Sequence, residues 1–348
     1  MKHLTRPATA VKLLLTALPV LLPQYVCHAQ APNYHLIKKV SLPGVEGWDY
    51  LTVDSAARRL YIARSTHVTV LNIDTGEVAG DIPDTPGVHG VAVDDKAGRG
   101  FTSNGRNNSV TIFDLNTLKK ISDVEVGQGP DAIIFDPATE RVFTFNGRGQ
   151  SSTAIDATTG KVVGTVPLGG RPEFAVSDGA GHIYNNLEDK SAVVSIDTKN
   201  LKVDNTWPIA PGDGPSGIAM DIKNRRVFSV CSNQKLTVLN ADNGKLVASP
   251  TIGNGPDACA FDAANNLVFS PNGQDGTVTI LQEVTPDQYN VVSTLTTQKS
   301  ARTMALDSTT HHIFTVAADT VPPAPGATQQ RGRRQYVPGS FVVLEYGP

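Results

Sequence analysis

The sequence predicts an all-β fold, a seven-bladed β-propeller of four-stranded antiparallel blades. Three observations predict it. An aspartate closes an apolar run at Asp54, Asp94, Asp136, Asp178, Asp221, Asp262 and Asp307, at separations of 40, 42, 42, 43, 41 and 45 residues. An aromatic residue follows each anchor by seven positions, at Tyr61, Phe101, Phe143, Phe228, Phe269 and Phe314, or by six at Tyr184, where the fourth copy carries a deletion. Short apolar runs alternate with turn residues throughout, and helical periodicity is absent.

Each element of the repeat follows from its residues. The first run leads into the anchor aspartate. A short polar turn follows, and then a second run with the aromatic, which recurs because every blade presents the same surface to its neighbour. The third run is exemplified by Val68-Thr69-Val70-Leu71, Val110-Thr111-Ile112-Phe113 and Val278-Thr279-Ile280-Leu281. It ends in turns such as Asp74-Thr75-Gly76 and Asp242-Asn243-Gly244, and a fourth run such as Lys161 to Val166 closes the copy. The seventh copy stops after its third run, Phe341 to Glu345. Tyr34 to Leu42 precedes the first copy and reads as the missing outer strand. Pairing the N-terminal strand into the last blade closes the ring and removes free sheet edges.

Residues 1–29 read as a signal peptide. Lys2, Arg6 and Lys12 stand without an acid among them, an apolar stretch runs from Val11 to Leu22, and Cys27-His28-Ala29 offers a cleavage site. Export to the periplasm or outside the cell is expected. Removing Lys2, Arg6 and Lys12 moves the net charge from −3 to −6, which favours solubility and disfavours a polyanionic partner. No later stretch supplies the roughly 20 apolar residues of a membrane helix. Residues 30–348 form one propeller without a linker, expected to be a monomer. Cys231 and Cys259 fall in adjacent copies, and pairing or two buried thiols are both open. With so few Cys and scattered His there is no spaced zinc or haem motif.

The second-run tetrads Tyr61-Ile62-Ala63-Arg64, Phe101-Thr102-Ser103-Asn104, Phe143-Thr144-Phe145-Asn146 and Phe269-Ser270-Pro271-Asn272 resemble the YVTN repeat, and Gly129-Pro130, Gly214-Pro215 and Gly255-Pro256 fit it. The chain is similar to the YncE-like exported propellers over residues 30–348. That resemblance implies the fold but no single activity, since propellers host binders, lactonases and lyases. Nucleic-acid binding, described for some such relatives, is not expected here: no basic stripe with interleaved aromatics appears.

Candidate chemistry lies five residues before each anchor, at Asp49, His89, Asp131, Glu173, Ser216, Asp257 and Arg302. All are polar in an otherwise apolar run, and repeat symmetry brings them into one ring at the channel mouth. Their identity varies from copy to copy, which symmetry alone does not require. Local backbone bonding at the strand start is one reading. The other is a site for a small molecule or protein, or for a divalent cation held by Asp49, His89, Asp131, Glu173 and Asp257. Four converging carboxylates should raise one another's pKa values and favour a cation. Exchanging Asp131 and Asp257 for Asn should then cost little stability.

A second ring at the ends of the second runs contains Asn104, Asn146 and Asn272, followed by Arg106 and Arg148 in near-duplicate Asn-Gly-Arg triplets. Turn chemistry and an anion clamp are the competing readings. Trp48 either stacks on a ligand or packs. His311, His312 and His182 sit in turns on the opposite face. The segment 317–339, with Pro322-Pro323-Ala324-Pro325 and Arg331-Gly332-Arg333-Arg334, reads as a mobile loop. No catalytic signature stands out. The functional expectation is a binding or scaffold protein with a polar, acidic ligand or metal site at the mouth, or a metal-dependent lactonase-like hydrolase or lyase on the same face.

Overall fold

The anchor aspartates recur because they hold the turn that leaves the inner strand, six through a backbone amide and Asp136 through the Thr139 hydroxyl at 2.6 Å. Asp54 Oδ1 accepts the Ala57 amide at 2.8 Å, Asp178 Oδ1 that of Ala180 at 2.9 Å, and Asp307 Oδ1 that of Thr309 at 3.1 Å. All seven anchors are buried, at most 5% exposed, so the carboxylate replaces water for amides that would otherwise be orphaned. The turn then needs a left-handed residue. Gly98 supplies it in one copy (φ 66°), and Arg58, Glu140, Arg225, Asn266 and His311 supply it at φ between 52° and 63° in others. Three of these reach back to the preceding anchor: Arg58 Nη1 lies 2.6 Å from Asp307 Oδ2, Arg225 Nη1 2.8 Å from Asp178 Oδ2 and His311 Nδ1 2.9 Å from Asp262 Oδ2.

A computed structural model describes residues 1–4, 33–44, 47–321 and 335–348. The chain divides into two units, Met1–Ala31 and Pro32–Pro348. Beyond its first four residues the expected signal peptide lies outside the described residues. The second unit consists of seven four-stranded antiparallel sheets, arranged as a seven-bladed propeller. Blade 1, for example, contains Leu51–Asp54, Arg59–Ala63, Val68–Asn72 and Val78–Ile82. Blade 7 orders as Met304–Leu306, Ile313–Ala317, Val342–Gly347 and then the N-terminal strand His35–Ser41. In that closure Leu36 pairs with Tyr346 and Val40 with Val343.

The recurring aromatics hold the blades to one another. Seven apolar clusters exist among the described residues, one at each blade junction, and each holds one of the seven aromatics. Phe101 of blade 2 packs with Ile133 and Val142 of blade 3, and Phe314 of blade 7 packs with Leu51 and Leu60 of blade 1. Each aromatic is at most 2% exposed. Burying a side chain of this size contributes about 1.5–3 kcal/mol. Cys231 and Cys259 stand as free thiols, which decides the pairing left open by the sequence. No described helix is long and apolar enough to cross a membrane.

Candidate functional site

The seven variable residues meet at the start of the inner strands, and six of them, all but Glu173, are linked side chain to side chain in an arc. His89 Nδ1 lies 2.5 Å from Asp49 Oδ2 and 3.4 Å from Asp131 Oδ1. On the other side Ser216 Oγ donates to Asp257 Oδ1 at 2.6 Å, and Arg302 Nε donates to Asp257 Oδ2 at 2.6 Å. Arg302 Nη2 joins the two halves of the arc, 3.6 Å from Asp49 Oδ1. These lateral bonds replace the local backbone bonds that were one expectation for the ring. The strand starts are fixed from behind instead. Asn185 Nδ2 donates to the carbonyls of Glu173 and Phe174 at 2.8 and 3.0 Å, Asn186 Nδ2 to Ser216 O at 2.7 Å, and Thr303 Oγ1 to Asp49 O at 2.9 Å.

The electrostatics follow from these pairings. Burial opposes charge on His89, but the hydrogen bond to Asp49 and the field of Asp131 outweigh it and raise its pKa to about 9. The imidazole is therefore a cation at neutral pH. Burial pushes Asp131 up to about 6, with Asp49 adding to it while His89 and the Tyr50 hydroxyl oppose it. Glu173 rises furthest, to about 10, through burial, a hydrogen bond with Glu188 and repulsion from Asp131. It is a neutral donor at pH 7. For Arg302 burial is again outweighed, by Asp257 and Asp49, and it stays charged. Mutual repulsion of four carboxylates thus describes the ring only in part. A proton on Glu173 and the cations His89 and Arg302 relieve most of it. Exchanging Asp257 is accordingly no longer expected to be free, because it would strip Arg302 of its closest partner.

Immediately beneath the ring, four residues before each anchor, stand Tyr50, Gly90, Ala132, Phe174, Gly217, Ala258 and Thr303. Two aromatics among small residues can meet across the channel. Their ring centroids lie 3.9 Å apart at 68°. Gly90 makes room, since a β-carbon there would sit 3.0 Å from Tyr50 Cδ2 and 3.2 Å from Ile133 Cγ2. The plug floors a cavity of about 400 Å³ over blades 1–4, lined among others by Asp49, His89, Asp131 and Glu173, with Arg106, Arg148 and Arg171 around it.

The remaining candidates divide sharply. Arg106 and Arg148 are exposed on the cavity rim. Arg148 is held by bonds from Nη2 to Gly105 O at 2.9 Å and Asn108 Oδ1 at 3.3 Å. Neither arginine forms an ion pair among the described residues. Asn104, Asn146 and Asn272, by contrast, are buried inside their blades. Asn146 Nδ2 donates to Ser151 and Thr153 hydroxyls at 3.2 and 3.0 Å, and its Oδ1 accepts from Thr144 at 3.0 Å. Asn104 and Asn272 repeat this arrangement. Their amides are saturated by the blade and have nothing left for a ligand.

Trp48 is 6% exposed, packed on Tyr336 at 4.9 Å and Phe341 at 5.5 Å, with Arg302 over its ring at 5.4 Å. Its packing reading prevails. The loop 317–339 is tied at its described ends, where Val321 N donates to Gln335 O at 2.8 Å and Val337 N to Asp319 O at 2.7 Å. Residues 322–334, including its proline and arginine runs, lie outside the described residues.

Sequence reasoning missed Arg171, Glu188, Tyr50 and Phe174. Arg171 takes the place of the glycine that precedes the strand in blades 1, 2, 3, 5 and 6, and it pairs with Glu188. Glu188 opens a 3-10 turn, Glu188–Lys190, where the fourth copy departs from its siblings. That departure was the available signal. The Asp49, His89 and Asp131 ligand atoms also lie within 4.8 Å of one another. One imidazole and two carboxylates suit a divalent transition metal, but here they bond each other, and an ion would have to displace the His89 proton.

The chain matches no family model and no curated protein. Its fold matches a chain of Kuenenia stuttgartiensis hydrazine synthase with a TM-score of 0.69 and 16% identity, covering 79% of this chain and 94% of that one. It also matches a chain of the mitotic checkpoint complex, with a TM-score of 0.72 and 12% identity, covering 98% and 99%. At such identities the likeness shows the propeller fold alone.

Proposed function

We propose that this chain is an exported binding propeller of the YVTN-repeat, YncE-like kind, and that its channel mouth holds a small organic anion. One observation carries the reading. The floor of the mouth is compensated internally, whereas Arg106 and Arg148 stand on the rim without an acidic partner among the described residues. A carboxylate or phosphate meets both guanidiniums there. The hydroxyl or amine groups of the same ligand meet Asp131, His89 and the neutral Glu173 below. A cavity of about 400 Å³ suits a ligand of metabolite size.

The test is calorimetry with a panel of small carboxylates and phosphates on the full propeller. Binding that weakens at least about tenfold in Arg106→Ala with Arg148→Ala, with unchanged melting, supports the reading. Saturable binding that ignores both arginines would sink it. A second reading, a divalent cation serving binding or lactonase-like hydrolysis, rests on the proximity of Asp49, His89 and Asp131. Metal analysis of purified protein and His89→Gln separate the two, because only a metal site loses its ion in that variant.

A further inference from the structure

The channel continues beneath the plug with a different chemistry. Below Tyr50 and Phe174 lies a second cavity of about 360 Å³, walled by the inner strands of blades 1–4. It extends to Val93 and Phe135, each one residue before an anchor, and so reaches toward the anchor face. Apart from Tyr50, Thr52 is the only lining residue with a polar side chain among the described residues, and its hydroxyl is already committed to Val91 O at 2.7 Å. Tyr50 turns its hydroxyl up toward Asp131. Ile134, Phe135 and Phe174 pack on the blade cores yet remain only half-buried, which leaves apolar surface facing the channel.

The side chains that line this space offer almost nothing to an ordered water, which needs two to four polar partners. An apolar cavity of roughly 150 Å³ already accommodates benzene. Twice that volume fits a fused two-ring aromatic, and covering the exposed isoleucine and phenylalanine surface drives its entry. The inner strands turn one backbone edge toward the channel, so one amine or hydroxyl on the guest finds a partner there.

We propose that this lower chamber is a separate binding site for a neutral aromatic molecule of naphthalene size, carrying at most one or two hydrogen-bonding groups. It is independent of the anion site above, since the Tyr50–Phe174 plug separates them.

The experiment titrates the neutral dye N-phenyl-1-naphthylamine into the full chain and follows its fluorescence. Saturable enhancement at one dye per chain, displaced by unlabelled naphthalene, is expected. Ile134→Phe and Ala175→Leu each fill the chamber and should weaken the dye at least about tenfold. Their near-ultraviolet circular dichroism and melting show that the blades are intact. Arg106→Ala with Arg148→Ala should leave dye binding unchanged. Failure to saturate, equal binding by the filled and folded variants, or loss of binding in the arginine variant would each overturn the proposal. The last outcome would place the dye at the mouth and leave the anion reading untouched.

Discussion

The inner strand of blade 7, Met304–Leu306, is flanked by Arg302 at the mouth and by Asp307 at the anchor face, and the two faces treat charge in opposite ways. Asp307 is fully buried and receives Arg58 at 2.6 Å, the Thr310 hydroxyl at 2.7 Å and the Thr309 amide at 3.1 Å. Burial pushes its carboxyl up, but hydrogen bonds from Ser55, Thr310 and Arg58 prevail and bring it to about 2. At the mouth Asp131 and Glu173 go the other way, to about 6 and about 10, because burial raises both and neighbouring acids add to it. A carboxylate surrounded by donors is architecture. One held short of donors is poised for something else to supply them.

Asp307→Ala tests the first half of that contrast and has the largest expected effect. It leaves the Thr309 amide and the Thr310 hydroxyl without their acceptor in a buried turn and removes one of the two acidic partners of Arg58, so denaturant unfolding should show a loss of about 3–5 kcal/mol. A loss below about 1 kcal/mol would break the comparison. Asn146→Ala comes next, since a buried amide with three partners costs about 1–3 kcal/mol when removed. Anion binding should be unaffected in the folded variant. Lost binding with unchanged stability would return Asn146 to the mouth.

The pH dependence of unfolding sharpens the contrast by sign. Asp307, lowered from 3.8 to about 2, contributes stability above pH 3.8 that fades as the pH falls toward 2. The mouth groups contribute at low pH and lose it upward. For Asp131 the loss runs from pH 3.8 to about 6, for Glu173 from 4.5 to about 10, and for His89 from 6.5 to about 9. Glu173→Gln should therefore flatten the alkaline limb and leave the acid limb alone. An acid limb that moves with Glu173→Gln would show the two ends to be coupled.

The smallest effect is expected for Asp131→Asn, under about 1 kcal/mol, because the exchange replaces a carboxylate that is already reluctant to ionise. Asp257→Asn is the sharper companion. It removes the charge beside Arg302 and should destabilise more than Asp131→Asn. Equal values for the two would mean that Arg302 is satisfied without Asp257.

Periodicity made the architecture legible. The spacing of Asp54 through Asp307 and the trailing aromatics specify a repeat, and a ring of repeats has one geometry. The short seventh copy and the lone strand before the first then imply the closure found between His35–Ser41 and Val342–Gly347. The ring of Asp49, His89, Asp131, Glu173, Ser216, Asp257 and Arg302 was legible for the same reason. The roles of Asn104, Asn146 and Asn272 were not, because spacing gives a position along the strand and not the three hydroxyls that saturate each amide. Arg171 and Glu188 escaped because they break the repeat.

By itself, the sequence determined how many blades there are, where each begins and which residues share a level. Those properties depend on chain-local spacing, which repetition converts into space. Only the tertiary structure decided which neighbours on a level touch, that His89 and Arg302 sit beside the acids of the ring, and that Tyr50 meets Phe174 across the channel. The physical reason is that these partners lie one or more blades apart. Their distances and their exclusion of water exist only once the ring has closed.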